Sequence, residues 1–313
     1  MSMMAFLGSI ELGIIYALMA LGVFISFRTL NMPDLTVDGS FVLGAVISAI
    51  LCTNGYPLLG LIFAFIAGLL AGSVTGLLHT KLKIQPLLSG ILVMLALWSV
   101  NLRIMGNKAN IPLINKSTVF NLVDGSFLAS YSGLIIPAVI LIIILILLYF
   151  FLKTELGLVI RATGDNRDMV RSAGVNTDTT IVLGLAVSNG LVAVSGALIA
   201  QYQHFADISM GTGMVIIGLA SVIIGEVLFG TNSLWRRLVA VTLGAVLYRL
   251  IIAIALELGM PPTDLKLVSA VIVAFALAMP VIKERFSIWK KRRQNQANYH
   301  RRLPADVKNR NNN

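Results

Sequence analysis

Residues 154–180 read TELGLVIRATGDNRDMVRSAGVNTDTT. This stretch decides how the rest of the chain is understood. It is the only long charged, glycine-punctuated segment lying between two apolar walls, Ser132–Leu152 and Ile181–Ala200. Each wall is long enough to cross a bilayer. Asp165, with Asp168 three positions on, reads as a capping box that opens a short helix. Gly164 and Gly174 bracket that helix, glycine being the usual residue of a left-handed terminating turn. The segment therefore presents a short amphipathic helix on a polar loop, with Met169 and Val170 as apolar contacts. A plain solvated connection between two spans is the competing reading.

Composition sets the class. Of 313 residues, 57% are hydrophobic and 12% charged, with a mean hydropathy of +0.89. Soluble domains carry roughly 25% charged residues. The expected fold is all-α: a polytopic membrane protein of about eight to ten transmembrane helices. Residues 1–285 form the transmembrane domain and 286–313 a basic tail. The net charge is +10, and the stretch from Lys283 to Arg310 holds ten Lys or Arg against Glu284 and Asp306. Such a run suits anionic lipid on the cytoplasmic side better than nucleic acid. The lone Cys52 excludes an internal disulfide. The first residues lack a basic n-region, so Leu7–Phe27 is expected to be a retained span.

The spans are interrupted in an informative way. TLNMPDLTVDGSF (29–41) places Pro33, Asp34, Asp38 and Gly39 beside a short apolar run, Phe41–Cys52. Irregular backbone at membrane depth is tolerated only where protein or a water-filled cavity surrounds it. Asp34, Thr36 and Asp38 are thus candidates to line or gate a pathway, or else to cap a helix break. Basic turns at Lys81/Lys83 and Arg236/Arg237 and the tail are expected on one side, together with 154–180. That gives about nine crossings, with the C-terminus cytoplasmic in a cell membrane.

The two halves, about 8–130 and 180–281, can be superposed as sequence. Asp34-Leu-Thr-Val matches Asp207-Ile-Ser-Met, and Leu88–Val93 matches Val268–Val273. With the topology above, the repeat is inverted, a plan that puts a transport site near the midplane. Asp207 and Ser209 then join the pathway candidates as repeat mates. No phosphate loop, HExxH, paired Cys/His set or GxSxG elbow is present. The sequence accordingly predicts no catalytic residue, no metal site and no cofactor, and an intramembrane enzyme finds no nucleophile–base pair. Glu226 and Arg249 are charges inside apolar runs, read as a structural ion pair or as proton-coupling groups.

Three motifs carry a resemblance: LNMPDLTVDGSFVLGA, TELGLVIRATGDNRDMVRSAGVNTD and GEVLFG (225–230). Over about residues 8–285 the chain resembles permease subunits of bacterial ATP-binding-cassette importers of the branched-chain amino acid and ribose class. LTVDGSF is closer to a subgroup often assigned to amino acids. The resemblance implies that 154–180 is the coupling loop, with Asp165, Asn166, Arg167, Asp168, Met169, Val170 and Arg171 docking on a separate ATP-hydrolysing subunit. It also implies an extracytoplasmic solute-binding protein and a second permease chain, a homodimer here. An ion-coupled carrier or channel working without an ATPase is the alternative.

Overall fold

The computed structural model describes residues 3–123, 131–261, 264, 267–272, 274 and 278. The basic tail and most of the expected last span, Leu265–Val281, lie outside the described residues. A backbone surrounded by lipid must satisfy its own N–H and C=O groups, and the helix is the local way to do so. Among the described residues, seven segments are long and apolar enough to cross a membrane. They are α1 (Met3–Val23, continued by a π-helical turn to Thr29), α2 (Thr36–Thr53), α3 (Pro57–Thr80), α4 (Pro86–Ile104), α5 (Ser132–Lys153), α8 (Thr177–Gln203) and α10 (Leu234–Glu257). Two helices, α6 (Glu155–Asp165) and α7 (Arg167–Ser172), fill the polar stretch between α5 and α8. A shorter apolar helix, α9 (Met214–Phe229), precedes α10. The fold is a polytopic all-α membrane protein. One small departure is a two-stranded antiparallel ribbon, β1 (Asn110–Pro112) with β2 (Phe205–Asp207), pairing Asn110 with Asp207.

Among the described spans α8, the central pillar, is the most buried and α5 the least. Lipid tails are as apolar as leucine, so helix association here depends on close backbone approach and interhelical hydrogen bonds. Both are concentrated on α8. A Cβ built on Gly44 of α2 would overlap Ala193 O, and one on Gly196 of α8 would overlap Phe41 O. Ser188 Oγ donates to Gly22 O at 2.7 Å and Ser195 Oγ to Ile15 O at 2.8 Å. Those two bonds fix α1 antiparallel to α8. Ser40 meets Asn189 and Ser48 meets Ala197 O, so α2 runs parallel to it.

Packing also exchanges the halves. α8 lies against α2 and α3, while α1 lies against α9 and α10. The first helix of each proposed half therefore packs on the second and third helices of the other, and the two first helices run in opposite directions. That is the arrangement an inverted repeat would produce.

The contrast between glycines gives a test. Gly196→Val forces a side chain into the α2 backbone and should cost at least about 1–3 kcal/mol. Gly8→Ala meets nothing within 4 Å and should be neutral. Thermal unfolding of the detergent-purified chain should therefore drop only for the first; an unchanged melting temperature for Gly196→Val would contradict this α2–α8 interface.

Candidate functional site

Two regions gather the residues singled out from the sequence. The first is the meeting point of two interrupted helices. After the π turn, Asn31 adopts a left-handed conformation, φ 53°, and residues 31–35 lead to α2 as irregular chain. Asp34 Oδ1 accepts from Thr36 N at 2.9 Å, and its Oδ2 accepts from Asn189 Nδ2 at 2.7 Å. Asn189 is the thirteenth of the 27 residues of α8, so Asp34 sits about 20 Å, half the pillar's length, from either end. Thr36 is fully buried, its hydroxyl 2.7 Å from that of Thr75.

Asp38 stands one turn further along α2 and holds a different helix. Its Oδ2 accepts from Gly213 N and its Oδ1 from Val215 N, each at 2.9 Å. A carboxylate from α2 thus caps the start of α9 and faces its positive dipole end. The N-termini of α2 and α9 meet at mid-depth. From there α2 rises toward the β-ribbon and α9 descends toward the end carrying α6 and α7, where Glu226 pairs with Arg28 at 2.9 Å.

The expected repeat mates share chemistry but not depth. Asp207 Oδ1 accepts from Ser209 N at 2.8 Å, the same local turn as Asp34 with Thr36. Asp207 lies in the β-ribbon at the rim, however, with Asn110 Nδ2 3.5 Å from its Oδ2. Partial burial pushes its carboxyl up, but hydrogen bonds from Ser209 and Asn110 prevail and hold it below the ordinary range. Glu226 and Arg249 are not each other's partners. Glu226 pairs with Arg28, and the Arg249 guanidinium lies 3.9 Å from the Tyr16 ring centroid.

The second region is 154–180, where the structure corrects the local reading. The short helix is opened by Asn166, whose Oδ1 accepts from Met169 N at 3.0 Å. Asp165 instead ends α6. Gly164 is inside α6, pressed against Thr29 O at the end of the π turn; Gly174 does take the left-handed turn, φ 82°. Val170 is buried, leaving Met169 as the exposed apolar residue of α7. Asp165, Asn166, Asp168 and Arg171 are exposed beside it.

Arg167 is half-buried, its Nη1 3.2 Å from Nε2 of His79 at the end of α3. The other ring nitrogen, Nδ1, faces Ile84 O at 2.7 Å. A carbonyl only accepts, so Nδ1 carries the proton and Nε2 receives the arginine's. Burial and then the charge of Arg171 pull the Arg167 pKa down, with Asp178 acting against them. Arg171 in turn bonds Asp178 at 3.1 Å. Residues 155–172 thus form a braced platform with one face buried and one exposed. Asn189, Asn101 and His79 were not among the site residues expected from the sequence; an amide within an apolar run was the available signal for the first two.

Chemically, neither region assembles a nucleophile with a base, and no group of three or more metal-ligating side chains occurs among the described residues. What the site offers is a polar junction at mid-depth and an exposed helix at one end.

Comparison with known proteins gives a consistent result. Residues 5–278 match a family described as "Branched-chain amino acid transport system / permease component". The tyrosine transport system permease protein of Clostridioides difficile (strain R20291) is 42% identical over 266 residues, 85% of this chain and 88% of that one. The galactofuranose transporter permease protein YtfT of Escherichia coli (strain K12) is 30% identical over 268 residues, 83% of this chain and 75% of that one. An uncharacterized protein of Rickettsia prowazekii (strain Madrid E), RP368, is 36% identical over 275 residues, 86% of this chain and 95% of that one. No solved structure matches.

The cap assignment is testable by hydrogen exchange. Asn166→Ala removes the acceptor for Met169 N and should cost about 1 kcal/mol, roughly a fivefold loss of protection at the amides of 169–172. Asp165→Ala should leave them unchanged. Equal effects of the two substitutions would refute the Asn166 cap.

Proposed function

The chain belongs to the family of permease components of branched-chain amino acid transport systems, and we propose that it is the membrane-spanning subunit of an ATP-driven importer for an amino acid, of the aromatic kind named for its relative. The similarity to the tyrosine transport permease, 42% against 30% for the galactofuranose one, favours an amino acid over a sugar. The solute arrives on an extracytoplasmic binding protein. Two copies of the permease form a homodimer in the cell membrane, with α6–α7 and the C-terminus on the cytoplasmic side.

The observation that carries this reading is the platform at 155–172. A helix that docks in a groove needs an exposed apolar anchor, charges around it and a rigid mount. Met169 is 60% exposed, Asp168 and Arg171 flank it, and Val170 and the Arg167–His79 contact brace it from below. ATP-driven closure of two such partners would move the helices between inward- and outward-facing states. The groups an ion-coupled carrier would use are engaged: Asp34 by Thr36 and Asn189, Asp38 by α9, Glu226 by Arg28.

Pull-down of the tagged chain from its native membrane in mild detergent, followed by mass spectrometry, tests the proposal. An ATP-hydrolysing subunit should come with it. Met169→Glu places a charge where an apolar anchor seats and should lower that recovery by at least about tenfold, with the variant still monodisperse. A chain that comes down alone yet transports in reconstituted vesicles, with transport collapsing as the proton gradient is dissipated, would replace the importer by the ion-coupled carrier.

A further inference from the structure

The mid-depth junction opens into a cavity of about 230 Å³ between α2, α4 and the chain that leads into α9. Asp38, Met94, Trp98, Asn101, Ile208 and Thr212 are among its walls. Asn101 is 1% exposed. Its Nδ2 donates to Gly39 O at 3.2 Å, and that bond fixes the amide orientation, because turning it over would set two acceptors against each other. The Oδ1 is then left without a donor, one of three buried side-chain polar atoms in that condition among the described residues. A buried acceptor without a donor is costly to leave unmade. Asn101 thus holds an acceptor without a donor just behind the cavity wall.

Asp38 adds charge. Each of its oxygens accepts one backbone N–H from α9, while a carboxylate has about four acceptor directions, so capacity remains. Trp98, 49% exposed, contributes an aromatic face, which attracts cations. Acceptor amide, carboxylate and indole form a set that suits a primary ammonium group.

Position supports the same conclusion. A second lateral groove, between α3, α5 and α8, is lined by Leu61, Phe65, Ile144 and Leu148 and is apolar throughout. That surface suits lipid. A carboxylate and an amide oxygen without a donor at mid-depth do not, since ionisable groups within a membrane face a bundle interior or a water-filled cavity.

We propose that the α2–α4 cavity, lined by Asp38, Trp98 and Asn101, opens on the aqueous translocation pathway and is a transient subsite for the α-ammonium group of the transported amino acid. The ligand's identity rests on the proposed function above; the presence of a carboxylate in a largely apolar cavity does not. Trp98 and Asn101 are then specificity residues, and the α2–α4 face of each protomer is the pathway face.

The test uses the full chain in native membrane vesicles, with Thr212→Cys in a Cys52→Ser background. The probes are two methanethiosulfonates of similar size, one bearing trimethylammonium and one sulfonate. Relative to each reagent's rate with a free thiol in solution, the cationic reagent should modify position 212 on the order of tenfold faster, since a nearby carboxylate favours cations. Asp38→Asn should remove the preference while retaining an acceptor for the α9 cap. Asn101→Leu, which leaves that cap untouched, should reduce it. Millimolar L-tyrosine should slow the cationic reagent, and 3-(4-hydroxyphenyl)propanoate, the same molecule without its ammonium, should not. Absence of modification by either reagent would place the cavity against lipid or protein. Equal rates, or no protection by tyrosine, would overturn the ammonium subsite. The labelling rates do not depend on recovery of an ATPase subunit, so failure here and failure of the importer reading are separable.

Discussion

Two helices begin in the middle of this protein, and the free N–H groups at their starts must find acceptors at mid-depth. A helix start leaves up to four donors without an intrahelical partner, and in the membrane interior each is expensive. At α2 the acceptor is Asp34, bonded to Thr36 N. At α9 it is Asp38, reaching across from α2. The carboxylates are themselves admissible at this depth only because they are bonded: Asp34 to Asn189, Asp38 to a helix terminus. The junction is thus a closed exchange of donors and acceptors, and removing one member exposes the others. Asn101 is the exception at its edge, which is why the adjoining cavity reads as a place for a ligand.

The same economy shapes α8. Ser188, Asn189, Ser195 and Gln201 are fully buried in an otherwise apolar helix, and every one has a partner on another element. Gln201 bonds Ser48 and Pro57 O and receives Val119 N. Glycines bring the backbones near enough for such short side chains to reach. At Gly44 and Gly196 the approach is reciprocal, so α2 and α8 behave as a single unit. Polar bonds and small residues perform here what hydrophobic burial performs in water.

The helices and the breaks were legible in the sequence because both follow from strong local signals. Apolar runs of span length admit one structure in lipid, and Pro33 with Asp34 cannot continue a lipid-facing helix. The junction itself was not legible. That Asp38 caps α9 depends on a contact between residues 175 or more positions apart, and no pattern within either segment announces it. Asp34 and Asp207, matched as sequence, form the same local turn at different depths, because the turn is local whereas depth depends on how far the following chain travels: α2 begins at Thr36, but α9 begins only at Met214. The capping residue of α7 was misplaced by one position for a related reason. Asp165 and Asn166 are both good caps, and the choice between them is made by α6, which continues through Asp165.

The two regions are joined by a short and stiff connection. Gly164 of α6 rests on Thr29 O, and a compact apolar cluster of Leu30, Met32, Ile160, Ile181 and Leu185 ties α6 to the chain just after α1 and to the foot of α8. Only Pro33 separates Met32 from Asp34. A close-packed cluster has few continuous deformations available to it. Displacement of α6 must therefore either open this cluster, at the cost of exposing five buried side chains, or carry Leu30 and Met32 with it. The second course pulls directly on the irregular segment that holds Asp34 against Asn189, and through α2 on the Asp38 cap of α9. The mount that holds α7 outward is thus also the nearest mechanical neighbour of the mid-membrane junction, and the substitution that would loosen one without touching the other is not available at Gly164, where any side chain would strike the backbone of α1.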